Sequence, residues 1–109
     1  MIQSLPASAE GYRALAWMFG VGLTRAISQK QGIDYAHIAL KKKNDLVSWE
    51  ILSACEARVG NFSRAHQIQK SLEEHDKDPT SKARRQAALR KLRKGIPLDN
   101  NHVSRALVA

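Results

Sequence analysis

DLVSWEILSACEARVGNFSRAHQIQKSLEEHD, residues 45 to 76, reads as two helices joined by a tight turn. Its apolar residues recur at helical spacing, with Trp49, Leu52 and Ala57 on one helix and Ala65, Ile68 and Leu72 on the returning one. Gly60-Asn61 lies between them: glycine adopts the left-handed conformation that ends a helix at no steric cost, and Asn61 or Ser63 is placed to cap the next. Helices approach closely only where the facing side chains are small. Ser53, Ala54 and Ala57 opposite Ala65 meet that condition, while Trp49 and Leu72 fill the wider ends of the wedge.

Outward from this hairpin the rest of the chain follows the same period. Ser8 with Glu10 opens a first helix expected to reach about Leu23 or Ile27, with Tyr12, Leu15, Ala16 and Phe19 on its core face. Gln29 to Gly32 reads as a polar break. Ile33, Tyr35, Ala36, Ala39 and Leu40 then mark a second helix, which ends at Lys41 to Lys43 where cations favour the helix dipole. Asn44-Asp45 closes it and caps the hairpin. After the polar stretch His75 to Thr80, a fifth helix is expected from about Ser81 to Lys94, stopped by Gly95 and Pro97. No window alternates polar and apolar residues long enough for a strand. The expectation is one all-α domain over residues 1–109 with about five helices: a first hairpin over 8–43, a second over 45–76, a basic capping helix over 81–94 and a tail over 98–109. Met1 to Pro6 reads as a loose leader, and His102 to Val108 has the spacing of a short amphipathic turn.

With 109 residues, 43% of them apolar, the chain has enough for one modest helical core. The single cysteine, Cys55, cannot form an internal disulfide, so nothing points to an oxidising compartment. Ala14 to Leu23 is too short an apolar run to span a bilayer, and Glu10 precedes it where a signal peptide carries only basic charge. A cytoplasmic protein without a membrane partner is expected.

The two hairpins can be laid over each other, Tyr12 to Ala16 beside Trp49 to Ser53 and Tyr35 to Ala39 beside Ile68 to Leu72. Ala57, Gly60, Asn61, Phe62, Ala65 and Gln69 stand in the pattern Ala-x-x-Gly-[Asn/Asp]-Phe-x-x-Ala-x-x-x-Gln, and Leu15-Ala16-Trp17 and Gly95-Ile96-Pro97 flank it. Over residues 10 to 98 this resembles bacterial tetratricopeptide-repeat proteins. The resemblance implies a stack of helical hairpins that binds other proteins and catalyses nothing. The chain departs from the pattern at Gly32, where the second helix of a repeat usually presents alanine, at Glu56, where an aromatic residue is common, and in the long turn between Phe19 and Gly32.

Solenoid units cannot bury their apolar faces alone, so something must cover the open end of so short a stack. Consecutive helical positions are about 100° apart, so Tyr12, Trp17, Met18 and Phe19 cannot all face inward. Trp17 and Met18 are therefore the expected protein-binding residues, facing a protein partner or a second copy of the chain, unless the leader Met1 to Leu5 folds over them.

Charge is the second signal. Residues 1–81 carry 10 Lys and Arg against 9 Asp and Glu, whereas residues 82–94 carry 7 against none, so nearly all of the net +8 sits on the fifth helix. Ala88, Leu89 and Leu92 give it a thin apolar stripe for docking. Arg84, Arg85, Arg90, Lys91 and Lys94 are then the expected contacts for an acidic partner or a phosphate backbone, or else a solvated cap. A small nucleic-acid-associated regulator using helix 82–94 on phosphates is the alternative function; without interleaved aromatic residues, single-strand stacking is not expected. His37, His66, His75 and His102 are scattered, share no ligand spacing with Cys55 and have no nucleophile beside them, and the glycines form no phosphate loop. No enzyme, metal or cofactor is expected.

Overall fold

Four of the five helices begin on a side chain that accepts a backbone N–H left over in the first turn. Ser8 Oγ accepts from Gly11 at 3.3 Å, Asp45 Oδ1 from Ser48 at 2.9 Å and Asp78 Oδ1 from Thr80 at 3.0 Å. At Ser28 the exchange is reciprocal, since Ser28 Oγ accepts from Gln31 N and Gln31 Oε1 accepts from Ser28 N, a capping box. In the computed structural model, which describes residues 8–98, these caps open α1 (Ala9–Gly20), α2 (Gln29–Lys42), α3 (Leu46–Arg58) and α5 (Pro79–Arg93). The remaining helix, α4 (Phe62–His75), starts at Asn61 with no side-chain cap. The fold is all-α, with five helices and no strand among the described residues. The leader and the tail from residue 99, with His102, lie outside them.

The hairpin turn forms as its chemistry requires. Gly60 has φ 93°, its N–H reaches Ala57 O at 3.0 Å, and Asn61 N reaches Glu56 O at 2.8 Å, which closes the end of α3. Gly22, φ 77°, does the same for α1, with Leu23 N donating to Met18 O at 2.9 Å. The first helix therefore stops at Gly20, short of Leu23 or Ile27. Nor is Gln29 to Gly32 a break: it is the first turn of α2, held by the capping box. Gly32 is needed there because the Phe19 ring occupies the space a Cβ would take. The fifth helix starts earlier than Ser81 because Asp78 caps it and Pro79 fits its first turn.

α1 packs on α2 and α3, α2 on α3, α3 on α4, and α4 on α5. The centre is α3, in which Ser48 and every residue from Glu50 to Ala57 are buried. Small residues set the spacing: Ala16, Ala36, Ala54, Ala57 and Ala65 are 0% exposed, and a Cβ added at Gly20 would come within 3.1 Å of Ala54 Cβ. Ile51 and Leu52 fill the core, each contributing about 1.5–3 kcal/mol by leaving water. After α5 the chain turns at Gly95 and seats Leu98 in the core. Arg58 ties this return to α1, donating from Nε to Gly20 O at 3.1 Å and from Nη2 to Leu98 O at 3.3 Å.

Candidate functional site

A helix as central as α3 should carry no unpaired charge, yet Glu50 is 2% exposed. Its partners come from α5. Arg84 pairs with Glu50, and Arg85, 3% exposed, sits with Nη1 3.7 Å from the same carboxylate. Arg85 also grips Asp76, from Nη2 at 2.8 Å and Nε at 3.0 Å. Burial pushes the Glu50 carboxyl above its usual range, opposed by the two arginines. Burial acts the same way on Asp76, but the Asp78 N–H and Arg85 outweigh it and hold that carboxyl below its usual range. A second pair fastens α1 to α3: Arg13 meets Asp45 and donates from Nε to Ser48 Oγ at 3.1 Å. There the Ser48 N–H and Arg13 overcome burial and lower the Asp45 carboxyl.

Arg84 and Arg85 are thus not on the outer cationic face. Their carboxylates are remote in the chain, so the local sequence does not show this; the available signal is Glu50 beside the apolar residues Ile51 and Leu52. The outer face of α5 is carried by Lys82, Arg90, Arg93 and Lys94, all exposed, with Gln86 among them. Lys91 is half-buried and has a partner of its own. At about 100° and 1.5 Å per residue, the exposed set falls within about 120° of the helix surface and runs about 18 Å along it. No ion pair engages these four cations among the described residues.

A cleft of about 600 Å³ opens between the start of α3 and α4. Leu46, Trp49, Ile68 and Leu72 give it an apolar lining, and Arg64, Gln67, Ser71 and His75 stand along α4 at helical spacing. Leu46 is 39% exposed, and Trp49 is held in place by its indole N–H, which donates to Asn44 Oδ1 at 2.7 Å. Asp45, the carboxylate of this cleft, is already taken by Arg13. Arg64 leans on Glu56 at 3.6 Å but leaves 53% of its side chain in solvent.

Trp17 and Met18 are half-buried, and Trp17 packs against the core with its Nε1 buried and unpartnered among the described residues. The large apolar side chains that stand out are Leu23, Leu46 and Ile96. The sequence does not single out Trp49 and the cleft around it as a contact, because there Trp49 reads as a filler of one of the wedge's wider ends.

Cys55 lies within the core and its Sγ donates to Ala16 O at 3.1 Å. Burial, with the nearby Glu56 charge adding and Arg58 opposing, pushes this thiol up to about 12, which favours its protonated form. Among the described residues no three His, Cys, Asp or Glu side chains gather as a metal site, and no helix is long and apolar enough to cross a membrane. Ala57 and Ala65 are fully buried, and Gln69 donates from Nε2 to Ser53 Oγ at 2.8 Å across the second hairpin. Comparison with protein-family models, with curated proteins and with solved structures finds no match for this chain.

Proposed function

We propose that this chain is a non-enzymatic protein-binding module of tetratricopeptide type, and that its cleft between α3 and α4 holds a short segment of another protein. Consecutive helices packed as pairs, α1 on α2 and α3 on α4, with α1 also packed on α3, support the repeat reading. The carrying observation is the cleft, with its apolar lining and Arg64 on the rim. Its size falls within the roughly 300–1,000 Å³ of binding pockets generally, and its fixed Trp49 is the kind of anchor that dominates interface energetics. The occupant this chemistry selects is a peptide with one large apolar side chain beside a carboxylate. The carboxylate would draw Arg64, half in solvent and 3.6 Å from Glu56, toward the peptide, while buried Glu56 keeps the hydrogen bond it accepts from Asn61 Nδ2 at 2.9 Å. A lone buried thiol fits a cytoplasmic setting.

Selection from a phage-displayed library of random twelve-residue peptides tests the reading. Expected is a shared pattern of one Leu, Phe or Trp flanked by Asp or Glu, with affinity falling about 30-fold or more in Trp49→Ala and the charge preference inverted in Arg64→Glu. Peptides without a common pattern, or ones that bind Trp49→Ala as well as the natural chain, would sink it.

A further inference from the structure

The outer face of α5 is not used by the cleft and lies on the last helix among the described residues. Lys82, Arg90, Arg93 and Lys94 line it, Gln86 and Ala83 are the other exposed residues among them, and the helix contains no acidic residue. A protein interface needs a buried apolar or aromatic anchor at its centre, and this surface of the helix has none. It offers instead a row of cations about 18 Å long, the pattern that fixes a phosphate backbone without reading its bases. The two arginines nearest the core, Arg84 and Arg85, are neutralised by Glu50 and Asp76. The outer charges therefore face solvent without a counter-ion on their own helix.

At one end of the row Arg93 borders a hollow of about 280 Å³ with Phe62, Ser63, His66, Gln67 and Leu92.

We infer that the outer face of α5 docks on the phosphate backbone of nucleic acid, independently of base sequence. Four cations on the row set the expected salt response, since the logarithm of affinity falls with the logarithm of salt by about 0.9 per neutralised phosphate on duplex DNA, a slope of roughly −3 to −4.

The test is fluorescence anisotropy of the full chain with labelled 20-base-pair duplexes of two unrelated sequences, over a series of salt concentrations. Expected are equal affinities for the two sequences, the slope just given, and at least a 50-fold loss in Arg90→Glu/Arg93→Glu/Lys94→Glu. The charge-matched control Arg25→Glu/Lys30→Glu/Lys43→Glu, whose residues are exposed elsewhere, should lose less than 5-fold. Circular dichroism of both variants confirms that they fold. A duplex that does not bind at about 50 mM salt overturns the inference, as does an equal loss in the two variants. If polyglutamate competes as well as unlabelled duplex at equal charge, the surface belongs to an acidic protein instead, which also overturns it. None of these outcomes bears on peptide capture by Trp49, so the two readings stand or fall separately.

Discussion

Arg85 and Arg93 sit on the same helix, two turns apart, and do opposite work. Arg85 is 3% exposed and bridges Glu50 and Asp76, so it joins α3, the turn before α5 and α5 itself. Arg93 is exposed, has no carboxylate partner among the described residues and borders a hollow. The difference teaches that a run of like charges in a sequence is not one feature. A cation turned inward is committed by the cost of leaving a buried carboxylate unpaired, whereas a cation turned outward costs the fold almost nothing and remains available to a partner.

The largest effect should come from cutting the inward side. Arg85→Ala leaves Glu50 with Arg84 alone and Asp76 with no arginine, and breaking a buried pair in this way costs about 3–5 kcal/mol. The urea midpoint should drop accordingly with an unchanged slope. If it does not, the inward network is ornamental and the contrast with Arg93 disappears.

Acidification should separate the two faces next. Asp76 and Asp45 have carboxyls held below their usual range in the folded chain. Each therefore adds stability that is present above its unfolded value, about 3.9, and is lost as the pH falls through the folded value. Glu50 is shifted the other way, so its protonation favours the fold, and its contribution, fully present below its unfolded value, is lost as the pH rises through the folded value. Urea midpoints measured from pH 7 to pH 3 should fall steeply at the acid end in the natural chain and less steeply in Asp76→Asn. Arg93→Met should follow the natural profile throughout.

Much of this architecture was legible in the sequence. The hairpin from Asp45 to Asp76, its turn at Gly60, the cap at Asp45 and the number of helices all rest on contacts close in the chain, where spacing and turn chemistry decide. Gln29 to Gly32 was misread because that turn lacks apolar residues, although Ser28 and Gln31 spell a capping box. The need for Gly32 depends on the ring of Phe19, which only packing reveals. The inward turn of Arg84 and Arg85 depends on Glu50 on another helix, so no local pattern shows it. The cleft at Trp49 is not local either, since it exists only where the α4 residues Arg64 to His75 come beside the start of α3.

The smallest expected effect completes the comparison and supplies its most direct test. Equilibrium urea unfolding of Arg85→Met and Arg93→Met, measured side by side at pH 7, removes one arginine from each face by the same substitution. A loss of about 3 kcal/mol or more for Arg85→Met, with Arg93→Met within about 0.5 kcal/mol of the natural chain, is the predicted result. Equal losses for the two variants, or a larger loss for Arg93→Met, would contradict the division of α5 into a face that holds the fold and a face free to bind.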